Sequence, residues 1–314
     1  MGFTNPYPAS RLTVDSTNSL VTGLQLWFPF TTGSGTSAPC LLHASHNGTL
    51  QSGASWSTSD IGTVLELDGS SEVDFTSDIS RNKTAVSCSA WIKPDSVSGS
   101  RFVFYESNSV NTHQTRFALR VDSSRIECVG RDDDGDGFTR FAQSNIGTVV
   151  TGAWQHAVAV FDPTGGGCKV YLDGVDVTAS SDNTGDGFPN TASIDQVVGG
   201  IGGNSSHYFD GQIQNLRVYD RALSAAEVST LYHRPWEGSN YGDIWPYSPP
   251  AASSMTLSSD AAATSLMTNC VGWWPLTNGG SATSAKDIVG TCLLYTSDAA
   301  DEGLGVDLGG RRII

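Results

Sequence analysis

The chain has 314 residues, of which 16% are charged and 38% hydrophobic, and its formal net charge is −15. No cluster of lysine and arginine offsets this charge, which argues against binding to nucleic-acid phosphates. No apolar run approaches the length of a membrane span, and the first twenty residues show no secretory signal, so we expect no membrane insertion.

The chain begins with a polar segment, residues 1–19, which is predicted to form a loose N-terminal arm. Short apolar or alternating runs follow, and turns rich in Gly, Asp and Ser separate them. The predicted strands are 24–30, 64–69, 86–92, 102–106, 117–121, 125–130, 138–143, 154–161 and 168–172. Strands at such short intervals predict an all-β, antiparallel two-sheet sandwich or jelly roll rather than β–α–β units.

Several side chains carry more specific expectations. Trp91 and Trp154 are large strand residues that are predicted to fill the space between the sheets. Asp173 and Gly174 are typical of a two-residue type I′ hairpin turn. The six cysteines are scattered and form no CxxC pair, so we expect buried apolar thiols rather than a disulfide framework.

The segment 209–232 is predicted to be a strand, a turn and a short helix that close the domain. Ser224 and, three residues later, Glu227 form the pattern of a capping box at the start of this helix. The spacing of the apolar residues that follow gives one helical stripe. We therefore expect the first domain to occupy residues 20–234.

The sequence beyond this domain divides into three further segments. Residues 235–268 are rich in proline and aromatic residues and are predicted to be an extended linker. Residues 269–291 repeat the pattern of 24–30, which indicates the start of a truncated second copy and therefore a tandem repeat. Residues 292–314 resemble the translation of a sequencing adapter, so we exclude them as an artefact of a metagenomic fragment.

Three motifs carry a family resemblance. They are 85–94 (AVSCSAWIKP), 152–161 (GAWQHAVAVF) continuing into 169–175 (KVYLDGV), and the closing stretch 209–232. In this order and spacing the chain resembles the laminin G-like jelly-roll domains of the concanavalin A-like lectin/glucanase superfamily. The resemblance covers residues 20–234 and implies one concave and one convex antiparallel sheet.

The resemblance also implies calcium as a candidate cofactor, because many relatives bind it. Their usual ligand positions are occupied here by His43 and Gln214, neither of which offers the carboxylate that calcium prefers. The usual site is therefore expected to be damaged.

Two acidic loops provide other candidate calcium ligands. Asp132, Asp134 and Asp136 match the first half of an EF-hand loop, but Gln143 stands where the bidentate Glu belongs. The alternative is a plain acidic hairpin tip. The second acidic loop contributes Asp182 and Asp186, and the two loops would share a cation only if their tips were adjacent.

Catalysis is a less favoured interpretation. Glucanases of the superfamily use paired acids in an E-x-D-x-x-E pattern, and retaining hydrolysis needs two carboxyl groups about 5 Å apart. Here Glu66 and Asp68 lie on one strand face, but Glu72 comes one residue late. We therefore predict no catalytic residues and no enzyme activity, and a glycoside hydrolase is kept only as an alternative.

The favoured prediction is a non-catalytic recognition module at a cell or particle surface that binds carbohydrate or protein. Trp56, Tyr105, His207 and Tyr208 lie in or near predicted loops and would stack on sugar rings, although they would also serve as ordinary rim packing. The main alternative is a structural or adhesion protein of a phage virion or tail. The expected location is accordingly extracellular or on a virion surface.

Overall fold

The computed structural model describes residues 12–51, 53–107, 115–130, 139–183, 187–188, 195–201, 207–241, 284–286 and 293–295. The chain forms two compact units, Met1–Ile244 and Trp245–Ile314. The described strands of the first unit are β1 (Leu12–Val14), β2 (Leu24–Phe28), β3 (Ser37–Ala38), β4 (Gly48–Leu50), β5 (Ser55–Ser59), β6 (Gly62–Asp68), β7 (Val73–Phe75), β8 (Val86–Pro94), β9 (Ser100–Ser107), β10 (Thr115–Asp122), β11 (Arg125–Gly130), β12 (Thr139–Gln143), β13 (Gln155–Phe161), β14 (Lys169–Leu172), β15 (Val175–Asp176), β16 (Ser180–Ser181), β17 (Asp195–Val198), β18 (Asp210–Tyr219) and β19 (Ser239–Tyr241).

One α-helix, α1, spans Ala225–His233, and single 3-10 turns span Ser19–Val21 and Ala44–His46. In the second unit the described residues form β20 (Ser284–Lys286) and β21 (Leu293–Tyr295), which pair antiparallel. No helix in the described part of the chain is long and apolar enough to span a membrane.

The described strands of the first unit form two large antiparallel sheets and one two-stranded sheet of β1 and β19. Sheet I has nine strands in the order β16-β12-β11-β10-β9-β17-β7-β4-β3. Sheet II has eight, in the order β15-β14-β13-β8-β18-β6-β5, and β2 also pairs with β18. This architecture, with one short helix, confirms the predicted sandwich.

The largest apolar cluster packs between the inner faces of the two sheets. Phe141 of β12 in sheet I meets Phe161 of β13 in sheet II edge to face, with ring centroids 4.6 Å apart. Successive side chains of a strand point to opposite faces, so every second residue enters this core. In β8, for example, Ala90 and Ile92 belong to the core cluster.

Trp91 and Trp154 do not fill the space between the sheets, and that prediction is wrong. Trp91 lies between two core residues of β8, so its ring faces outward and stacks on Tyr232 of α1 with centroids 5.7 Å apart. The indole of Trp154, which is partly exposed, donates a 2.9 Å hydrogen bond to the carboxylate of Asp60. The alternation of the strand, rather than the size of the side chain, decides the direction.

Helix α1 covers the outer face of sheet II. Its Val228 and Leu231 are buried in a second apolar cluster with Val158 and Val160 of β13. This cluster removes apolar side chains of the sheet from water, which stabilises the fold by about 1.5–3 kcal/mol for each fully buried large residue.

The predicted capping box and hairpin turn are both confirmed. The Ser224 hydroxyl accepts a hydrogen bond from the backbone N–H of Glu227, whose carboxylate accepts one from the N–H of Ser224. Asp173 and Gly174 have φ values of 51° and 79°, as a type I′ turn between β14 and β15 requires.

The cysteines that the structure describes are free and buried, as predicted: Cys40, Cys88, Cys128 and Cys168. Burial raises the pKa of the Cys88 and Cys128 thiols well above the usual value. Burial also raises the pKa of Cys168 to about 12. Cys88, Cys128 and Cys168 are therefore apolar core residues, with little thiolate available for reaction.

The compact unit includes parts of the segments that the sequence assigned to an arm and a linker. β1 lies within 1–19 and β19 within 235–268, and the two strands pair antiparallel with Leu12 opposite Tyr241. Trp236 is also buried, in the cluster beneath α1. The chain after α1 therefore returns to the domain before it leaves.

A buried polar network, which we call the Asn215 clamp, holds this returning segment. The side-chain oxygen of Asn215 accepts a 2.6 Å bond from the indole N–H of Trp27, and its amide donates to the carbonyl of Pro235. Arg217 donates to the carbonyl of Glu237 at 2.8 Å, and its guanidinium lies 3.7 Å from the centre of the Trp27 ring. Asn215 has a φ of 52°, a left-handed conformation in the middle of a strand.

We expect two substitutions of Asn215 to separate the stability that its hydrogen bonds contribute from the stability that depends on its backbone conformation. Asn215→Gly should lower the free energy of unfolding by about 2–3 kcal/mol, because a buried indole N–H loses its acceptor. Asn215→Ala should cost about 1 kcal/mol more, because alanine resists the left-handed conformation. Urea unfolding measures both, with the exposed Asn145→Ala as control. Equal losses in the two variants would contradict the conformational argument.

Candidate functional site

The outer face of sheet I collects polar and aromatic side chains from several strands. In β11 the alternation sends Ile126 and Cys128 into the core, and it leaves Arg125, Glu127 and Val129 on the outer face. The outer face of sheet II, in contrast, lies under α1. The candidate site therefore lies on sheet I.

An aromatic cluster occupies one part of this face and contains three of the four residues predicted to bind a ligand. The ring of Phe102 lies 5.6 Å from that of Tyr105 and 6.0 Å from that of His207. Tyr208 follows in sequence and forms a bridge with Phe102. The structure therefore brings Tyr105, His207 and Tyr208 together.

Burial limits what these three rings can contact. Tyr105 is fully buried and Tyr208 is 9% exposed, whereas His207 is partly exposed. The fourth predicted residue, Trp56, lies on β5 of sheet II, and its indole donates a 2.8 Å bond to the carbonyl of Gly35. Trp56 also packs against the core between the sheets, 6.4 Å from the ring of Phe30. It does not join the other three.

A buried ion pair occupies the middle of the face. Arg120 donates to the carboxylate of Glu127 at 2.7 Å and to that of Asp122 at 3.1 Å. Its guanidinium also lies 5.6 Å from the centre of the Phe102 ring. One arginine therefore compensates two carboxylates and contacts the aromatic cluster.

An open groove of about 470 Å³ lies where β11, β12 and β16 meet, and we call it the edge groove. It is lined by Arg125, Gln143, Ser144, Asn145, Ile146 and Ser180. The amide of Gln143 donates a 2.9 Å bond to the Ser180 hydroxyl, which fixes its orientation. Ile146 is 66% exposed beside these polar groups. Sequence reasoning named none of these as ligand-binding residues, although an isoleucine in a Ser-Asn-Ile-Gly turn was a detectable signal.

Most of the predicted metal ligands fall outside the described residues, namely Asp132, Asp134, Asp136 and Asp186. Asp182 is described and follows β16, where its backbone N–H donates to the carbonyl of Phe141. The described residues contain no group of three or more His, Cys, Asp or Glu side chains that could hold a metal ion. Calcium at the acidic loops stays a prediction.

The two positions where the family resemblance implies calcium ligands, His43 and Gln214, make other contacts in this structure. His43 precedes the turn Ala44–His46, and its ring meets the ring of His46 edge to face at 5.2 Å. Gln214 is buried, and its amide donates to the carbonyl of Thr63 at 2.7 Å. The amide of Gln214 is thus held by backbone acceptors.

The sequence comparison gives the family directly. The family model described as the concanavalin A-like lectin/glucanases superfamily matches residues 67–229, just over half of the chain. The chain belongs to this superfamily. A comparison with curated proteins found no match.

Solved structures share the superfamily sandwich at low sequence identity. Domain 4 of AbnA, a GH43 extracellular arabinanase from Geobacillus stearothermophilus in complex with arabinotriose, is 20% identical over 67% of this chain and 98% of that one, with a TM-score of 0.51. The binding domain of Paraclostridial Mosquitocidal Protein 1 is 15% identical over 68% and 52%, with a TM-score of 0.52. A Trypanosoma rangeli sialidase mutant displaying trans-sialidase activity is 14% identical over 70% and 34%, with a TM-score of 0.51. The chain spans about half of the second protein and a third of the third, and all three likenesses concern the fold alone.

The carboxylates considered for glucanase-type catalysis lie on β6 and in the segment between β6 and β7. Glu66 and Asp68 belong to β6 of sheet II, and Glu66 accepts a 2.7 Å bond from the amide of Gln212. The chain then crosses to β7 of sheet I, and Glu72 packs against Gly200 so closely that a side chain there would collide with it. Hydrogen bonds from Ser71 and Ser70 also lower the pKa of Asp68, the opposite of what a general acid needs.

His156 and Ser89 form a buried pair on the outer face of sheet II. The imidazole Nε2 lies 2.8 Å from the Ser89 hydroxyl, and the ring lies beside those of Trp91 and Tyr232. Burial, with a smaller contribution from the charge of Arg217, lowers the pKa of His156 to about 3. The imidazole is therefore neutral at physiological pH, and both residues are too buried to meet a substrate.

This histidine should make the domain sensitive to acid. Below pH 6.5 the unfolded chain binds a proton that folded His156 takes up only near pH 3, so lower pH favours unfolding by about 1.4 kcal/mol per pH unit. We expect the free energy of unfolding of wild type, relative to that of His156→Gln, to fall by about 2–3 kcal/mol from pH 6.5 to 4.5. Urea unfolding at several pH values measures it.

The control for this prediction is His233→Gln, which changes an exposed histidine of α1. Its pH dependence should match that of wild type. A gap between wild type and His156→Gln that stays constant over the same range would contradict the buried neutral state.

Proposed function

We propose that this chain is a non-catalytic carbohydrate-recognition domain that binds its glycan in the edge groove. The observation that carries the proposal is the mixed lining of that groove. Gln143, Asn145 and Ser180 offer amides and hydroxyls for sugar hydroxyl groups, and the exposed Ile146 offers an apolar surface for the C–H face of a ring. A few placed polar groups beside an apolar surface are typical of small-molecule sites.

The aromatic cluster supports the groove rather than replacing it. Stacking on a sugar needs an open ring face, and Tyr105 and Tyr208 are buried. Their packing with Phe102 instead orders the outer face around β9, and Arg120 links this cluster to β11, which carries one side of the groove. Arg125, Gln143 and Ser180 of the groove lie on paired strands, which hold binding residues more rigidly than a loop would, and Asn145 and Ile146 follow shortly after β12.

The fold likeness to a carbohydrate-bound domain also supports this proposal. The arabinanase domain carries arabinotriose, and 67% of this chain covers 98% of that domain. Since function lies in the site and not in the fold, the ligand of that domain is not carried over.

The test is binding of oligosaccharides by the double variant Gln143→Ala with Asn145→Ala. We expect this variant to bind at least about tenfold more weakly than wild type, because each lost hydrogen bond contributes about 1 kcal/mol. A glycan array finds the ligand, and calorimetry with and without EDTA measures its affinity and any calcium requirement.

The matched control changes two exposed polar residues of β5 in sheet II, Ser55→Ala with Thr58→Ala. Its affinity should equal that of wild type. If both double variants bind as wild type does, the groove is not the site, and if no glycan binds, the proposed function fails.

A hydrolase would behave differently with the same ligands. We expect no new reducing ends when the bound oligosaccharide, or laminarin, is incubated with the protein, because Gln212 engages Glu66 on β6 and Glu72 lies beyond that strand, just before β7. Glu66→Gln should leave glycan affinity unchanged. Hydrolysis that Glu66→Gln abolishes would establish the enzyme alternative.

A further inference from the structure

Arg125 stands apart from the other arginines of this acidic chain. Arginines 81, 101, 116, 120, 217, 221 and 234 each have a hydrogen bond or ion pair through the guanidinium. Among the arginines with described side chains, only Arg125 has neither, and it lines the edge groove. A net charge of −15 makes an uncompensated arginine unexpected.

The carboxylate closest in register does not compensate Arg125. Asp122 lies opposite Arg125 in the pairing of β10 with β11. Its two carboxylate oxygens instead accept bonds from Arg120, Ser100 and Ser123. Glu127, two residues further along β11, is likewise bonded to Arg120. The nearby acids are therefore engaged, and the guanidinium of Arg125 is left to the groove.

We propose that Arg125 binds the carboxylate of an acidic sugar, a uronic acid, within the glycan that the edge groove recognises. This inference rests on the proposed function and adds the chemical class of the ligand. A guanidinium presents planar paired donors that match a carboxylate, whereas sugar hydroxyls need no charge. Gln143 faces the same groove from the neighbouring strand and serves the hydroxyls of the ring.

Screening by salt limits the range over which the other charges of the chain affect this contact. At physiological salt, charges more than about 8 Å apart are largely screened, so the many distant carboxylates repel an acidic glycan only weakly. The contact with Arg125 acts at short range inside the groove.

The experiment compares acidic oligosaccharides with their uncharged esters. The probes are hexasaccharides of galacturonate, glucuronate-containing hyaluronan and mannuronate, each beside its methyl ester, titrated by calorimetry at 50 and 300 mM NaCl. For at least one pair, wild type should bind the acid about tenfold more tightly than the ester. The difference should shrink at the higher salt.

Variants assign that preference to one side chain. Arg125→Gln should bind acid and ester equally, and Arg125→Lys should keep only part of the preference. Lys93→Gln removes a charge of the same sign from β8 in sheet II and should leave the preference intact. Thermal unfolding checks that each variant is folded.

The outcomes separate the two proposals. If neutral oligosaccharides bind and respond to Gln143→Ala with Asn145→Ala, while acids show no advantage, the carbohydrate function stands and the role of Arg125 is overturned. An acid preference that survives Arg125→Gln also overturns it. If no saccharide of either kind binds, both proposals fail.

Discussion

The fold depends on one strand, β18, which pairs with three neighbouring strands. β18 pairs with β8 along one edge, while its other edge pairs with β6 through Ile213 and then with β2 from Leu216 onward. The exchange of partners occurs at Asn215, where the register with β8 shifts and the backbone turns left-handed. A bulge of this kind re-aims side chains and bends a strand. Here it also turns Asn215 toward Trp27 and Pro235, so a local irregularity becomes the anchor of the segment that follows α1.

This anchoring decides which face of the sandwich is open to a ligand. α1 and the returning segment cover the outer face of sheet II with apolar side chains, and the neutral His156 is enclosed there. Sheet I has no described helix on its outer face, and its polar side chains pair with one another or line the edge groove. This difference between the two outer faces follows from the connectivity of the chain, because β18, which closes sheet II, leads directly into α1, which covers that sheet.

Local sequence patterns predicted what local physics determines. The strands, the Ser224–Glu227 capping box and the Asp173–Gly174 turn all depend on neighbours within a few residues, and all are present. Side-chain direction was harder, because large size favoured the interior for Trp91 while the strand's alternation turned it outward. A single-residue shift in a strand reverses every side chain, so composition alone cannot settle the direction.

The candidate site depends on contacts that no local pattern contains. Tyr105 and Tyr208 were chosen by type, and the structure does gather them, but their burial follows from tertiary packing. Arg125, Gln143 and Ser180 lie 18 to 55 positions apart and meet only because β12 pairs with β11 on one side and β16 on the other.

Charge compensation is equally non-local. Arg120 satisfies Glu127 and Asp122 together, and this sharing is what leaves Arg125 without an acid. Had Arg120 been neutral, two carboxylates would have competed for Arg125, and the groove would have presented no net positive charge. The buried ion pair therefore occupies the two carboxylates nearest to Arg125 in register and in sequence, and it leaves the guanidinium of Arg125 available at the groove.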